Sequence, residues 1–271
     1  MQAPAESKVR VELVAKDFRY AAGVAWASSG YLILSDVPNE RLHKLGPGSD
    51  GLTVFREPSG GAAGNAFDSQ GRLYTCETRA RRVSRTDARG RVESLVERWE
   101  GKRLNGPRDV AVRRDGSFFF TDPAFGSALD RRELDFNGVF HVTSRGAVSL
   151  VWKGATRPSG IALSPDAKTL FVSNADERNV RAWAVDKDGG LSGERVVLAK
   201  IDGVPDGVRV DAEGRLFVAA RKFLVYAPEG KEILSVEMAA KPSSLAFAHA
   251  GSSLLYVAAG GGLYRVHLEL E

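Results

Sequence analysis

The chain of 271 residues has one cysteine, no long apolar run and only a small excess of basic residues, and each of these excludes a class of structure or partner. Its one cysteine, Cys76, excludes a disulfide within the chain. It contains no apolar run near the roughly 18 residues that a membrane-spanning helix needs, so we expect no membrane partner. Basic residues exceed acidic ones by only four, and the densest basic run, 78–91, has no aromatic residue to stack on bases. We therefore expect no nucleic-acid partner.

A signal peptide is also lacking, yet the first residues, MQAPAES, look like a mature N-terminus to which a Met has been added after removal of such a peptide. This pattern predicts a periplasmic or secreted protein, with a cytoplasmic protein as the alternative. We expect residues 1–7 to be a disordered start and residues 8–271 to form one domain.

What the chain does have is a sixfold repeat. An alternating strand, a turn with Gly, Asp or Pro, and a denser apolar strand recur at 22–36, 63–77, 108–122, 159–174, 206–220 and 243–259. A third strand and a more polar fourth follow in most units, for example 223–226 and 233–237. Four strands a unit and six units predict an all-β fold, a six-bladed β-propeller. The last unit ends after its third strand, so we expect segment 8–16 to supply the outer strand and close the ring.

One position of the repeat is where a site is expected. The first residue of each innermost strand faces the central channel, and in four units a proline precedes it. In chain order these residues are Ala22, Ala63, Arg108, Ser159, Asp206 and Ser243. Distant parts of the sequence meet only here, so the site is predicted at this ring or on the loops above it, with a small molecule as its partner. We predict catalytic roles for Asp206 and Arg108. The predicted substrate-binding residues are Ser159, Asn105, Asp122, Asn174 and Glu77.

Seven stretches carry a family resemblance. They include GRLYTCE (71–77), KRLNGPRDVAV (102–112), ELDFNGVFHV (133–142), SPDAKTLFVSN (164–174) and GVPDGVRVDAEGRLFV (203–218). Together the chain resembles the gluconolactonase/senescence-marker-protein family, which includes regucalcin, from about residue 12 to residue 269. The resemblance implies a six-bladed propeller that holds one divalent cation, usually calcium, at the channel floor and hydrolyses sugar lactones or related small esters.

The resemblance also implies a ligand set of one glutamate, two asparagines and one aspartate. Carried over residue by residue, these positions are Ala22, Arg108, Ser159 and Asp206. Only Asp206 keeps the family's residue. Calcium takes six to eight oxygen ligands, and Arg108 would place a permanent cation where the metal should bind. We therefore expect no cofactor. The alternative is a calcium site with ligands rearranged onto Asn105, Asp36, Asp122 or Glu77.

Arg108 also suggests how the channel tolerates Asp206. A carboxylate without a cation in a partly desolvated channel destabilises a fold, so we expect Arg108 to pair with it from two blades away. The pair is either a structural salt bridge or a clamp in which Arg108 polarises a substrate oxygen while Asp206 acts as a base on water. The longest irregular segment, 123–137, is predicted to be a lid or a specificity loop.

Three functions remain open. We predict a divergent, metal-independent hydrolase-like enzyme that acts on a small oxygenated or anionic molecule. The first alternative is a non-catalytic propeller that binds a ligand or a protein. The second is a calcium-dependent lactonase with rearranged ligands.

Overall fold

Six four-stranded antiparallel sheets surround a central channel in the computed structural model, which describes residues 8–47, 51–249 and 252–270. The innermost strand of each sheet contacts the innermost strands of both neighbouring sheets, so the sheets form a closed ring of blades. This arrangement confirms the predicted six-bladed β-propeller. The predicted disordered start, residues 1–7, lies outside the described residues. Within the described ranges, no helix is long and apolar enough to cross a membrane.

Each blade is a meander whose strands run outward from the channel in chain order, after an N-terminal strand β1 (Lys8–Ala15). Blade 1 contains β2 (Ala21–Trp26), β3 (Leu32–Asp36), β4 (Arg41–Leu45) and β5 (Leu52–Arg56). Blade 2 contains β6 (Ala62–Phe67), β7 (Leu73–Glu77), β8 (Arg82–Thr86) and β9 (Val92–Val96). A small hairpin follows, of β10 (Arg98–Trp99) and β11 (Lys102–Arg103).

The remaining blades repeat the same order. Blade 3 contains β12 (Val110–Val112), β13 (Phe118–Asp122), β14 (Asn137–Val142) and β15 (Val148–Gly154). Blade 4 contains β16 (Pro158–Leu163), β17 (Thr169–Asn174), β18 (Asn179–Val185) and β19 (Leu191–Leu198). Blade 5 contains β20 (Val208–Val210), β21 (Leu216–Ala219), β22 (Phe223–Tyr226) and β23 (Glu232–Val236). Blade 6 contains β24 (Pro242–Phe247), β25 (Leu254–Ala259) and β26 (Gly262–Glu269).

The N-terminal strand completes blade 6, as the sequence predicts. β1 pairs antiparallel with β26, with Lys8 opposite Glu269 and Val11 opposite Val266. Val9 packs against the core of blades 5 and 6, whereas Val11 and Leu13 are 39% and 55% exposed. The first and last strands of the chain thus share one sheet, which covers an edge of β26 that would otherwise be unpaired.

In blades 2 and 5, an aspartate and a glycine make the turn between the first and second strands. In blade 2, Asp68 Oδ1 accepts hydrogen bonds from the N–H groups of Gln70 and Arg72, both at 2.9 Å. Gly71 then adopts a φ of 74°, which glycine takes without steric cost. Asp211 in blade 5 accepts the corresponding N–H groups in the same way. In these two blades Asp and Gly therefore turn the chain back beside the innermost strand.

Glycines directly after the strand starts let neighbouring innermost strands approach closely. A Cβ at Gly160 would lie 2.2 Å from the carbonyl oxygen of Asp206, and one at Gly64 would lie 2.6 Å from that of Arg108. The N–H groups of these glycines donate hydrogen bonds to the same oxygens, at 3.0 and 2.8 Å. Blades 4 and 5, and likewise blades 2 and 3, are therefore joined at the ring of strand starts.

The hydrophobic core lies between adjacent blades. Between blades 2 and 3, the side chains of Tyr74 and Cys76 pack with Phe118, Phe120 and Phe140. The rings of Phe120 and Phe140 are stacked with centroids 5.1 Å apart. Burial raises the pKa of the Cys76 thiol well above its ordinary value, as expected for a packed apolar residue rather than a nucleophile.

The predicted lid segment, 123–137, contains a short 3-10 turn, Gly126–Ala128, and is otherwise irregular until β14 begins. Asn137 ties it down: its Oδ1 accepts the N–H of Ala124 at 2.9 Å, and its Nδ2 donates to the carbonyl oxygen of Ala155 at 2.8 Å. The Arg157 guanidinium lies 4.8 Å from the centre of the Phe125 ring. A lid function for this segment stays a prediction.

Candidate functional site

The six strand starts meet at one end of the channel, which we call the channel mouth. A cavity of about 10 Å³ lies there, with five of them in its wall: Ala22, Ala63, Arg108, Asp206 and Ser243. That volume is about the space of one water molecule. The sixth, Ser159, contacts Asp206 directly. The ring thus brings three of the predicted site residues, Arg108, Ser159 and Asp206, into one cluster.

Asp206 accepts four hydrogen bonds in this cluster. Arg108 donates from Nε to Oδ1 at 3.3 Å and from Nη2 to Oδ2 at 2.5 Å. Ser159 Oγ donates to Oδ1 at 2.7 Å, and the Tyr20 hydroxyl donates to Oδ2 at 3.3 Å. Each carboxylate oxygen therefore has two donors, which fills the about four lone-pair positions of the group. The Tyr20 contact exceeds the usual O–H···O distance of roughly 2.7–2.8 Å by the largest margin, so it is the weakest of the four.

Arg108 and Asp206 form an ion pair that is largely removed from water. Their side chains are 17% and 12% exposed. Burial alone would lower the pKa of Arg108, but the charge of Asp206 and the Tyr20 hydroxyl raise it above its ordinary value. Burial, and then the charge of Asp206, raise the pKa of Tyr20, so its hydroxyl keeps its proton at neutral pH. Nη1 of Arg108 takes no part in either contact with Asp206.

A second ion pair crosses the channel between the same two blades. Nη1 of Arg209, in blade 5, lies 3.2 Å from Oδ2 of Asp109, at the start of blade 3. The same nitrogen donates to the carbonyl oxygens of Val208 at 2.7 Å and Ile161 at 3.3 Å. Asp109 Oδ2 also accepts the N–H of Ile161 at 3.2 Å. Blades 3 and 5 are thus joined twice, with the positive residue in blade 3 in one pair and in blade 5 in the other.

Asn105 and Asp122 form a separate, buried unit. Asp122 accepts the N–H groups of Asn105 and Gly106 at 2.7 and 2.8 Å. Burial raises the pKa of Asp122 to about 7, against the opposing effect of those two N–H groups. Asn105 Nδ2 donates to the carbonyl oxygens of Asp122 and Phe136, while its buried Oδ1 has no hydrogen-bond partner among the residues that the structure describes. Both side chains therefore position the segment that leads to Arg108. Their predicted contact with a substrate stays a prediction.

Glu77 and Asn174 are likewise occupied away from Asp206. Glu77 accepts hydrogen bonds from Arg56 at 3.0 Å, Arg82 at 2.6 Å and Ser84 at 2.5 Å. Asn174 accepts two backbone N–H groups of the turn that follows it and donates to Thr156 at 2.8 Å. The structure does not bring either residue to the Arg108–Asp206 pair.

The side chains at the four positions that the resemblance assigns to metal ligands do not fit a calcium ion. Ala22 has no side-chain oxygen, and Ser159 and Arg108 both donate to the one carboxylate that remains. Calcium needs six to eight oxygens, with carboxylates to balance its charge. Asp36, considered as a substitute ligand, accepts the N–H groups of Arg19 and Tyr20 instead. Across the described ranges, no three His, Cys, Asp or Glu side chains form a group that could hold a metal.

Three contributors to the site escape the sequence argument: Tyr20, Asp109 and Arg209. Tyr20 precedes the first strand start by two residues, and nothing in its local pattern separates it from other aromatic residues. Asp109 and Arg209 are visible as charges in strands that line the channel, where apolar residues are the rule. That charge in an apolar setting is the signal that could have found them.

Known proteins resemble this chain in sequence and in fold. A family model described as the SMP-30/gluconolactonase/LRE-like region matches residues 20–261. The gluconolactonase of Zymomonas mobilis is 30% identical over 94% of this chain and 80% of its own length. The solved structure of a gluconolactonase from Xanthomonas campestris superimposes with a TM-score of 0.88 at 30% identity, over 96% of this chain and 90% of that one. A calcium-binding regucalcin from Agrobacterium tumefaciens has a TM-score of 0.79 at 18% identity, over 96% and 94%, and shares the fold.

Proposed function

Because the chain belongs to the SMP-30/gluconolactonase/LRE-like family, we propose that it is a hydrolase-like propeller that acts, without a divalent cation, on a small oxygenated or anionic molecule at the channel mouth. One observation carries the proposal. The guanidinium of Arg108, at a position that the resemblance assigns to a metal ligand, forms a largely buried ion pair with Asp206. In this proposal the metal site is degenerate and the fixed charge of Arg108 replaces the charge of the ion.

The chemistry of Arg108 sets the class of substrate. A guanidinium forms strong hydrogen bonds to carboxylates and to oxygens that gain negative charge during a reaction. Nε and Nη2 bind Asp206, and the guanidinium also interacts with the Tyr20 hydroxyl, so a ligand oxygen would meet Arg108 in place of that hydroxyl. Lactones, esters and the acids that they release all present such an oxygen.

The proposed reaction is hydrolysis of an ester bond. Water adds to the carbonyl carbon, Asp206 takes a proton from that water, and Arg108 stabilises the oxyanion. The bond to the leaving oxygen then breaks, and that oxygen takes the proton back from Asp206. Asp206 can accept a proton only when one of its four donors withdraws. Tyr20, whose contact is the weakest, is the donor that we expect to withdraw.

A second candidate is a propeller that binds such a molecule and does not hydrolyse it. The saturation of Asp206 favours this candidate, because a carboxylate with two donors on each oxygen is a poor base. Arg108 would then serve as the anchor of a carboxylate or lactone carbonyl.

The test is hydrolysis of a lactone panel that includes glucono-δ-lactone, followed by proton release in EDTA. We expect turnover above the spontaneous rate, and a fall of about 100-fold in kcat/KM for Arg108→Asn, the usual loss when one oxyanion donor is removed. The matched control is Arg89→Asn, which changes an exposed arginine of a turn and should leave turnover as it is.

Each other outcome assigns a different function. Turnover that appears only on addition of calcium contradicts the proposal and supports a lactonase with rearranged ligands. Absence of turnover, together with binding of gluconate that Arg108→Asn abolishes, identifies the binding protein.

A further inference from the structure

A much larger cavity opens at the other end of the channel. It has a volume of about 1480 Å³ and lies where the innermost strands of all six blades end. Its wall includes four aromatic side chains, those of Trp26, Phe67, Phe217 and Phe247. Typical small-molecule sites measure about 300–1,000 Å³ and are mostly apolar with a few placed polar groups. The space and the lining here suit a ligand with an apolar body.

Arg209 supplies the placed polar group. Its side chain lines this cavity and is 18% exposed. All of its hydrogen bonds to the described residues come from Nη1, the atom that meets Asp109. Nε and Nη2 donate to nothing in the described part of the chain, and neither is sealed from solvent. The edge formed by Nε and Nη2 is one that binds both oxygens of a carboxylate at once.

Four of the acidic groups in the cavity wall are engaged away from that edge, among them Glu213, which pairs with Arg215. Asp115 accepts the N–H and hydroxyl of Ser117. Asp166 accepts the hydroxyl of Ser164, and Asp211 pairs with Arg215 at 2.6 Å. Each of these carboxylates is therefore engaged in its own turn.

We infer that this cavity binds a small organic anion with an apolar or aromatic body. The carboxylate meets Nε and Nη2 of Arg209, and the body lies against Trp26, Phe67 and Phe247. This site is independent of the proposed hydrolytic one, because Arg108 and Asp206 lie at the opposite end of the channel and Asp109 and Arg209 pair between the two cavities.

The experiment compares 2-naphthoate with its neutral analogue 2-naphthamide by isothermal titration. The full-length protein should bind one naphthoate, about tenfold or more tighter than the amide, the difference expected for hydrogen bonds to a charged group. Arg209→Met should reduce naphthoate affinity to that of the amide and leave the amide's affinity unchanged. Naphthoate should also quench the fluorescence of Trp26, and Trp26→Phe should remove that quenching.

Two further variants keep the result interpretable. Asp109→Asn combined with Arg209→Met removes both charges of the pair, so it tests binding if the single variant unfolds. Arg108→Asn should leave naphthoate affinity as it is, since it alters the other end of the channel. Equal affinities for naphthoate and naphthamide, unchanged naphthoate binding by both Arg209 variants, or no binding at millimolar concentration each overturn the inference.

Discussion

The replacement of Arg108 by methionine tests the ion pair at the channel mouth most directly. Methionine has a similar length and no charge, so Asp206 becomes a carboxylate without a cation. Ser159 and Tyr20 remain as its donors. The surrounding strands keep their backbone contacts, because the N–H of Arg108 donates to Thr121 through the main chain.

The expected loss follows from the burial of the pair. Removal of one partner from a buried ion pair costs about 3–5 kcal/mol. Since 17% and 12% of the two side chains remain exposed, we expect the lower end, about 3 kcal/mol. For a chain of this size that corresponds to a fall of about 6–12 °C in Tm.

The assay is thermal unfolding of wild type, Arg108→Met, Asp206→Leu and the double variant. The double variant should be more stable than Arg108→Met, because it removes the buried charge along with its partner. Losses in the two single variants that simply add in the double variant would refute the reasoning and show that Arg108 and Asp206 do not interact energetically.

Three other predictions concern the metal and the closure of the ring. Tm should change by less than about 1 °C between excess EDTA and millimolar calcium, whereas a ligand at a hundred times its Kd adds roughly 2.7 kcal/mol and would raise it clearly. The triple variant Ala22→Glu, Arg108→Asn and Ser159→Asn should bind calcium by isothermal titration, since it restores a four-ligand set around Asp206. Arg108→Asn alone should not bind calcium. If the triple variant does not bind calcium either, the surroundings of these positions have changed as well. Deletion of residues 1–15 removes β1, exposes an edge of β26 and costs on the order of 3 kcal/mol from the lost packing of Val9 and Val14 alone. The truncated protein should be aggregated in size-exclusion chromatography, and a soluble monomer with unchanged Tm would count against closure by this strand.

The fold could be predicted because each blade repeats its own local signals. Alternating strands, Asp–Gly turns and the proline before Asp206 all act over a few residues, so they are visible in the sequence. The pairing of Arg108 with Asp206 could also be predicted, because the ring forces strand starts of different blades together. The pairing of segment 8–16 with blade 6 could be predicted because the last repeat unit ends after its third strand.

The side-chain contacts of the other site residues could not be predicted, because the repeat does not encode the direction in which each side chain points. Glu77 and Asn174 lie at strand ends, where a site residue is expected. Their side chains, however, bind neighbouring groups, Arg82 and Thr156 respectively. Tyr20 meets Asp206, and Arg209 meets Asp109, only once the ring of blades has closed, so no local pattern of the sequence shows these contacts. The number of residues between Arg209 and Asp109 gives no hint that the two side chains meet across the channel.

The guanidinium at the channel mouth is a cation that the chain carries with it. A bound ion obeys mass action, so it leaves when it is diluted, chelated or displaced by a competitor. Arg108 cannot leave, and it is present from the moment of synthesis in any medium. It also cannot take on extra ligands as an ion can, because its donors lie in one plane. The centre of this propeller therefore keeps its charge wherever the protein is found, and it offers that charge in a single fixed direction.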